Sequence, residues 1–274
     1  MNVFDSMMSA YSLQSDTDYQ NALHEVMQKI ALAGLHRGNF FKHAAFYGGT
    51  CLHLFHQLPR FSEDMDFSLI KEDTTFTLND YSDAIMAEFK ALGRDVTFTP
   101  KAKSKDSAIK SAFLKDNTAI YNLSFKTERT VKIKIEVDTS PPLGFKTMNH
   151  TMLLPFSFVV RCFDLPCLYA GKMHALLFRN WKSRVKGRDW YDFEWYVRHR
   201  IKVDIPHFCQ RMQQSHPSQP LPQTVTDLKT LLVKRISTLN IEQAREDVMP
   251  FIANRSELDI WSQEYFLALV DQMV

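Results

Sequence analysis

The alternation of hydrophobic and polar positions is clearest in one stretch near residue 50. An apolar run at 44–47 is followed by two glycines and then by a segment of helical character at 50–57. From 64 to 69, apolar and polar residues alternate with a period of two, which is typical of a strand with one buried face. The pattern therefore predicts a tight turn after the apolar run, then a short helix, and then a strand whose polar face carries two aspartates.

The residues of this stretch suit phosphate and metal chemistry. Gly48 and Gly49 permit a tight turn and a close approach of the backbone to a ligand. The helix that starts at Thr50 offers free N–H groups to an anion. Asp64 and Asp66 repel each other on their shared strand face, and a divalent cation removes that repulsion. We therefore predict a phosphate cradle beside a site for Mg²⁺ or Mn²⁺.

Further elements are predicted along the N-terminal half. Helices that cover a sheet are expected at 18–34 and 78–92, where apolar residues recur with helical spacing. The predicted strands are 96–99, 118–126 and 130–138. The last two would form an antiparallel pair joined at 127–129. The expected fold class is α/β or α+β, with a small mixed sheet covered by helices.

The strand at 130–138 carries two candidates for a third acid. Its apolar residues alternate with a polar face that includes Glu136 and Asp138. Glu136 follows the apolar core of the strand and is the first choice, whereas Asp138 lies close to the loop that begins at Pro141. An ordinary solvated face with Lys–Glu pairs would show the same pattern. This strand by itself therefore leaves open whether one of its acids joins Asp64 and Asp66 or whether its polar face is merely solvated.

The C-terminal half supplies candidate cations on one helix. A helix predicted at 166–181 places Lys172, Ala175 and Arg179 on one stripe. The small alanine leaves space for a ligand, and Lys172 could reach nucleotide phosphates and offset charge that develops in their transfer. A cation there is costly to bury unless an anion meets it, and the expected anion is the triphosphate. A lysine that extends its stem along a buried helix would show the same spacing.

A second helix, predicted at 188–200, carries two acids on one side. Asp189 and Asp192 are three residues apart and therefore face the same way. Acidic residues are favoured near a helix start, so capping is an alternative explanation for Asp189. The helix nevertheless places two carboxylates within reach of whatever packs against its first turns.

The rest of the chain is predicted to be helical. The segment SHPSQPLP at 215–222 is typical of a linker. The helical patterns beyond it are 225–239, 241–253 and 257–274. Asn240 and Ser256 are suited to cap the last two of these helices. This part of the chain carries no constellation of reactive residues, and we expect it to pack as a bundle on the C-terminal half.

Composition limits the class of protein. The 274 residues are 45% hydrophobic and carry a formal net charge of +2, which suits one large or two small domains and does not by itself demand nucleic acid. The four cysteines form no CxxC pair, so we expect buried thiols. No apolar run approaches the length of a membrane span, and we expect a soluble, cytoplasmic protein with no membrane partner.

Two parts of the chain resemble a known family. The segment GGTCLHLFHQLPRFSEDMDFSL at 48–69 resembles the turn, helix and Asp-x-Asp strand of polymerase-β-like nucleotidyltransferases. Residue by residue, this segment is similar to the AbiEii/AbiGii toxins of abortive-infection and toxin–antitoxin systems. The segments AGKMHALLFR at 170–179 and GRDWYDFEWYV at 187–197 resemble the lysine helix and the Arg-Asp-x-x-Asp segment of that family. The resemblance covers roughly residues 40–200.

The resemblance implies a division of the chain and a set of site residues. A nucleotidyltransferase core would span 1–160, and a helical region at 161–274 would complete its active site. The implied catalytic residues are Asp64, Asp66, Glu136, Lys172 and Asp189. The first three would also be the metal ligands, and Glu136 would accept the proton of the attacking hydroxyl. The implied nucleotide-binding residues are Gly48, Gly49, Thr50, Arg60, Ser62, Lys172 and Asp192.

The resemblance also implies an activity and its partners. The reaction would be metal-dependent transfer of a nucleotidyl group from a nucleoside triphosphate to a hydroxyl, with release of pyrophosphate. The implied acceptor is RNA, with the 3′ end of a tRNA as one candidate, and a cognate antitoxin would oppose the toxin. The alternative is an inactive family member that acts as an RNA- or protein-binding module. The three acids and the lysine favour the enzyme, because an inactive relative would be expected to have lost at least one of them.

Overall fold

The strands form one mixed sheet. The computed structural model describes residues 2–100, 118–125, 131–179 and 185–274. The strands within these ranges are β1 (Ala44–Tyr47), β2 (Met65–Leu69), β3 (Val96–Pro100), β4 (Thr118–Phe125), β5 (Val131–Asp138), β6 (Thr147–Met152) and β7 (Phe158–Phe163). They join in the order β3-β4-β5-β2-β1-β7-β6. The two central strands β1 and β2 are antiparallel, and each has a parallel partner on its other side, β7 and β5 respectively.

Helices surround the sheet and make up most of the C-terminal half. Those in the described ranges are α1 (Val3–Ser9), α2 (Asp16–Arg37), α3 (Gly48–His56), α4 (Ser82–Ala91), α5 (Leu165–Phe178), α6 (Gly187–Arg198), α7 (Ile205–Ser215), α8 (Val225–Ile236), α9 (Ile241–Val248) and α10 (Gln263–Gln272). Short polar side chains cap several of their starts, because the first N–H groups of a helix have no partner within it. Ser15 caps α2, Asp164 caps α5 and Asn240 caps α9.

The apolar faces of the central strands meet in an aromatic core. Phe46 of β1 and Phe67 of β2 stack with their ring centroids 4.9 Å apart, and Phe40 packs edge-on against Phe67 at 5.0 Å. On α2, Val26 and Ile30 are fully buried. Because side chains alternate along a strand, this burial turns the polar residues of β2 to the opposite side of the sheet.

The expected α/β fold and most of its elements are confirmed. The predicted helices at 18–34 and 78–92 correspond to α2 and to α4 with the 3₁₀ turn Leu78–Tyr81 before it. The predicted antiparallel pair is β4–β5, with Ile120 opposite Glu136. The predicted turn at 127–129 lies outside the described residues. Asn240 is an N-cap as expected, since its side chain accepts a hydrogen bond from the backbone of Gln243.

The helix α1 and three further elements were not predicted, and one predicted cap is wrong. The side chains of the edge strand β6 are mostly exposed, so its sequence does not alternate between apolar and polar residues. The neighbouring strand β7 and the helix α7 were also not predicted. Ser256 does not start a helix of its own. Instead, Asn254 caps the 3₁₀ turn Arg255–Leu258, and Ser262 caps α10.

The two halves of the chain are joined through the sheet and the C-terminal tail. The proposed division at residue 160 falls within β7, whose Cys162 pairs with Phe46 of β1. The tail returns to the loop before β2, where Phe61 N donates a 2.7 Å hydrogen bond to the carbonyl of Phe251. Arg60 forms a neighbouring β-bridge with Ile252. The separation into a core at 1–160 and a helical region therefore stays a prediction.

Two expectations from composition concern cysteines and membranes. The cysteines are free; Cys51, Cys162 and Cys167 are buried and Cys209 is half-buried. Desolvation raises the pKa of Cys167 to about 12, so this thiol stays protonated near neutral pH. Across the described residues, none of the helices combines the length and the apolar character that a bilayer crossing requires.

Candidate active site

One cleft collects residues from both halves of the chain. Its volume is about 400 Å³, and it opens where the ends of β2 and β5 meet the helices α3, α5, α6 and α7. Its lining includes Gly48, Gly49, Arg60, Ser62, Asp64, Asp66, Glu136, Asp138, Lys172, Arg179, Asp189, Asp192 and Arg211. Of the predicted site residues, only Thr50 is absent from the lining. The structure thus brings together motifs that lie more than a hundred residues apart in the sequence.

Two of the acids lie next to each other where β2 and β5 run side by side. Asp66 is aligned with Glu136, and the next position on the same face aligns Ser68 with Asp138. Glu136 is therefore nearer to Asp66 than Asp138 is. Burial, together with the charges of Glu136 and Asp64, raises the pKa of Asp66 to about 7. At neutral pH a proton or a cation must therefore offset part of the charge of this group.

These acids fit a divalent cation by the chemistry of their donors. Carboxylate oxygens are the ligands that Mg²⁺ and Mn²⁺ prefer, and the repulsion that raises the pKa of Asp66 would be relieved by such an ion. Within the described part of the chain, no three potential ligands already converge as a finished metal site. The side chain of Asp64 is exposed, so it can rotate toward Asp66 and Glu136 without loss of packing.

The two glycines fit the turn because a side chain at either position would collide. Gly48 has a φ of +83°, and a Cβ there would overlap the Oδ2 atom of Asp66. A Cβ on Gly49 would lie 2.6 Å from Nη2 of Arg60 and 3.0 Å from Oγ of Ser62. The start of α3 therefore sits directly against the acid pair, and its N-cap residue Tyr47 makes no side-chain capping bond.

The loop between α3 and β2 is fixed from within the protein. The hydroxyl of Thr50 donates to the carbonyl of Asp64 and lies 2.9 Å from Oγ of Ser62. The buried amide of Gln28 donates to the carbonyls of Ser62 and Glu63, each at 3.0 Å. Thr50 is fully buried. The hydroxyl of Thr50, an implied nucleotide-binding residue, therefore positions the segment that carries Asp64.

A buried ionic network joins this loop to α5 and α6. Lys172 of α5 donates to Asp189 at 2.7 Å and lies 2.8 Å from Asp192, both on α6. Asp192 also accepts two hydrogen bonds from Arg60, at 2.5 and 2.7 Å. Burial by itself would raise the pKa of Asp192, but the charges of Arg60 and Lys172 outweigh it and lower that pKa. All four groups therefore remain ionised.

The network corrects two expectations about these residues. Lys172 does not depend on a triphosphate for a counter-charge, because Asp189 and Asp192 already supply it. Asp189 does not cap α6, since its carboxylate accepts from Lys172 instead. Asp192 is 0% exposed. Its carboxylate holds two cations in place, Lys172 and Arg60, and its predicted contact with a nucleotide stays a prediction.

Further cations border the cleft outside this network. Arg179 at the end of α5 is exposed, and Lys186 precedes α6. Burial lowers the pKa of Lys186 to about 8, although the nearby charge of Asp189 acts in the opposite direction. Arg188 lies 3.4 Å from Glu63, and its guanidinium stands 4.0 Å from the ring centre of Phe251. These cations share the lining of the cleft with the acids of the sheet.

Two residues at the site were missed by sequence reasoning. Gln28 belongs to a helix that was predicted only as cover for the sheet, and the signal available was a polar residue in its apolar stripe. Arg211 lies on α7, which was not predicted at all. Neither residue belongs to a motif, because each acts through long-range contacts that leave no local spacing in the sequence.

Comparison with known proteins identifies the family. A family model described as "Nucleotidyl transferase AbiEii toxin, Type IV TA system" matches residues 30–269. The chain belongs to this family. No match was found among curated protein sequences. The family assignment implies a nucleotide substrate and an antitoxin partner.

Solved structures share the fold of this AbiEii family member at low sequence identity. JHP933 from Helicobacter pylori is 16% identical with a TM-score of 0.57, and the alignment covers 92% of this chain and 90% of the other. A second H. pylori protein, described as a candidate nucleotidyltransferase, is 17% identical with a TM-score of 0.53, covering 92% and 91%. The shared architecture extends over both the sheet and the C-terminal helices.

Proposed function

We propose that this protein transfers a nucleotidyl group from a nucleoside triphosphate to a hydroxyl of an RNA, with release of pyrophosphate. The observation that carries the proposal is the alignment of Asp66 with Glu136 directly beside the glycine turn of α3. Acids for a divalent cation and N–H groups for a phosphate thereby face one cleft. The family assignment supports the same class of reaction.

Three acids are suited to hold Mg²⁺ or Mn²⁺ in this proposal. Asp64, Asp66 and Glu136 offer oxygen donors only, and the charges of its neighbours raise the pKa of Asp66. Glu136 also pairs with Lys134 at 2.6 Å. When bound, the cation would supply positive charge to the triphosphate and to the attacking oxygen. Glu136, paired in register with Asp66, is placed to accept the proton of the acceptor hydroxyl.

The start of α3, beside the acids, is suited to the phosphates. The N–H groups at Gly48 and Gly49 open α3 toward the cleft, where the helix dipole favours an anion. Lys172 also lines the cleft, with its position fixed by two carboxylates. A preorganised cation of this kind stabilises charge that develops during transfer, at no cost of reorganisation. Asp189 and Asp192 are positioning residues for that cation.

RNA is the acceptor that the charge distribution favours. Arg179, Lys186 and Arg188 line the cleft with positive charge. The exposed Arg179 is the best suited of them to a phosphate backbone, because Arg188 already pairs with Glu63 and Asp247. We include the 3′ end of a tRNA in this proposal as one candidate for the acceptor. The alternative of an inactive binding module would require no acids at the sheet, whereas the cleft retains all three together with Lys172.

The test is a transfer assay. The protein is incubated with each labelled ribonucleoside triphosphate, Mg²⁺ and total RNA, and the RNA is separated on a gel. Label in an RNA band that disappears with Asp66→Asn and with chelation of the metal supports the proposal. Label in protein or in small molecules would redirect the acceptor, and no label under any condition would favour the binding module.

The same assay separates the two candidates for the third acid. Glu136 is aligned with Asp66 and Asp138 with Ser68, so Glu136→Gln should lose far more transfer than Asp138→Asn. Removing a general base or a metal ligand typically costs at least 10²-fold. Equal, small losses would contradict the role given to Glu136, and the reverse order would assign that role to Asp138.

A further inference from the structure

A guanidinium on α7 reaches the cleft from a part of the chain that no motif includes. Arg211 lines the cleft together with Tyr47, Asp138 and Gly171. Its Cζ atom lies 5.6 Å from the ring centre of Tyr47, the residue that precedes the glycine turn. The side chain is half-buried. Arg211 therefore stands beside the predicted phosphate cradle.

One edge of this guanidinium is fixed by the protein. Nε of Arg211 donates to Nε2 of His207, one helical turn earlier, at 3.0 Å. An imidazole can accept this bond only when it is neutral, and burial lowers the pKa of His207 to about 3. The bond therefore persists at neutral pH. It leaves the Nη edge of the fork, the edge that binds phosphate bidentately, for another partner.

The helix that carries Arg211 is itself anchored to α5. Asp204 caps α7 by accepting from the backbone of His207 at 2.9 Å, and its own N–H donates to the carbonyl of Pro166 at 3.2 Å. The guanidinium also lies against α5, where a Cβ on Gly171 would come within 3.6 Å of its Cζ atom. The position of Arg211 is thus set by the scaffold rather than by a flexible loop.

Arg211 differs from the other fixed cations of the cleft in its counter-charge. Lys172 and Arg60 are neutralised by Asp189 and Asp192 at hydrogen-bond distance. Among the residues that the structure describes, no carboxylate forms such an ion pair with Arg211. Its charge acts on Asp138 only at longer range, where it opposes the rise in pKa that burial causes. A fixed cation in this state is suited to an external anion.

We propose that Arg211 binds a phosphate group of the substrate through its Nη edge. The inference rests on the proposed function for the presence of a phosphate-bearing ligand, but it assigns a residue that neither the motifs nor the family description includes. Two sources share this chemistry, the triphosphate and the backbone of the acceptor RNA. The contact with Tyr47, next to the glycine turn, favours the triphosphate.

The test compares binding by variants of the full chain. Arg211→Met removes the charge, Arg211→Lys keeps the charge without the fork, and Arg198→Met is the control. Arg198 is an exposed arginine on α6 that lies 3.5 Å from Glu194, outside the cleft. Equilibrium binding is measured for ATP, GTP, CTP and UTP, for inorganic triphosphate, and for a short single-stranded RNA over a range of salt concentrations. Thermal melting checks that each variant is folded.

The expected result is weaker binding of the triphosphate by about tenfold or more in Arg211→Met, the scale of losing hydrogen bonds to a charged group. Arg211→Lys should fall between the wild type and this variant, and Arg198→Met should match the wild type. If triphosphate binding is unchanged but RNA binding weakens and its salt dependence falls by about one ion, the phosphate belongs to the acceptor.

Other outcomes overturn the inference. One such outcome is that folded Arg211→Met binds the triphosphate and the RNA as tightly as the wild type does. Another is that the wild type binds neither of them. In both cases the only role left for Arg211 would be its packing on Tyr47. If Arg211→Met does not fold, the Lys variant decides, because it must then bind the triphosphate more weakly than the wild type. A wild type that binds the triphosphate through Arg211 but labels no acceptor would refute the proposed function and leave this inference standing.

Discussion

Asp66 is the residue at which the demands of folding and of chemistry meet. It is aligned with Glu136 on the neighbouring strand, and Gly48 packs against it so closely that no side chain fits there. Desolvation and two neighbouring carboxylates raise its pKa to about 7. A protein selected only for stability would not be expected to place these acids together, and the arrangement supports the proposed cation site, because a bound cation would relieve their repulsion.

The first prediction follows from the raised pKa of Asp66. A carboxyl whose folded pKa lies above its unfolded value contributes stability that is fully present below the unfolded pKa and is lost as the pH rises through about 7. Asp66→Asn imitates the protonated form. In metal-free buffer the melting temperature of the variant should therefore exceed that of the wild type, and the difference should grow between about pH 5 and about pH 8.

Taking the difference between the two proteins removes the effect of other titrating groups. Burial lowers the pKa of His56 to about 4 and that of His174 to about 3, which costs stability as the pH falls below the usual histidine range. These histidines are the same in both proteins, so their contribution cancels. A melting difference that stays constant with pH, or shrinks toward pH 8, would contradict the electrostatic account of Asp66.

The second prediction concerns the steric fit of the glycine turn. Gly48→Ala places a Cβ onto the Oδ2 atom of Asp66, so we expect transfer to fall by roughly 10²-fold or more, the scale on which a misplacement of about 1 Å is felt. Gly93→Ala is the matched control, because its φ of +70° imposes similar backbone strain while nothing lies within 4 Å of the new atom. Similar losses of transfer in both variants would attribute the effect to backbone strain alone.

At the scale of elements, the site depends on how α5 packs against α6. Lys172 and Asp189 meet only because the two helices present these residues to each other, and Asp192 one turn later ties both to Arg60 in the loop before β2. Breaking a buried ionic network by removing one partner leaves an uncompensated charge and is strongly destabilising, typically by about 3–5 kcal/mol. The same cluster is thus both a structural joint and one wall of the cleft.

The third prediction separates these two roles of the network. Lys172→Met alone should lower the free energy of unfolding by about 3 kcal/mol and should lower turnover, because Asp189 loses its main counter-charge. The double variant Lys172→Met, Asp189→Asn removes that stranded charge, so it should recover a large part of the stability while transfer stays low. Denaturant unfolding and turnover are measured on the same preparations. Recovery of transfer along with stability would make Lys172 a purely structural residue.

At the scale of the whole molecule, the C-terminal helices hold the catalytic half in place. Gly187 at the start of α6 lies so close to α9 that a Cβ would overlap the carbonyl of Ala244. Trp261 donates from Nε1 to Glu194 of α6 at 2.9 Å, and the backbone of Phe251 accepts from Phe61 in the loop before β2. The tail therefore braces both the helix that carries Asp189 and the loop that leads to the acid pair.

The fourth prediction tests this brace. Gly187→Ala should force α6 and α9 apart and lower the free energy of unfolding by about 1–3 kcal/mol or more, with a loss of transfer because Asp189 lies two residues away. The control is Gly171→Ala, another glycine within a helix, where the new atom would make ordinary contacts at 3.6 Å. That variant should melt at the same or a higher temperature, since alanine favours a helix. Equal melting temperatures for the two variants would show that α9 can move away from α6 without loss of stability.

The sequence determined whatever depends on neighbouring residues along the chain. Period-two alternation located β2 and β5, helical spacing located α2, α5 and α6, and the glycines before Asp-x-Asp indicated phosphate and metal chemistry. These signals are local, because burial of one face imposes the same period wherever the element packs. Strands without a buried face, such as β6, gave no such signal.

Only the tertiary structure decided which distant groups meet. The register of β2 and β5 placed Glu136, rather than Asp138, beside Asp66. The packing of α5 on α6 gave Lys172 its protein counter-charges, which the sequence had assigned to a ligand. The missed helix α7 brought Arg211 to the cleft. Each of these contacts joins residues far apart in the chain, and the free energy that selects them comes from burying the core as a whole, so no short segment records it.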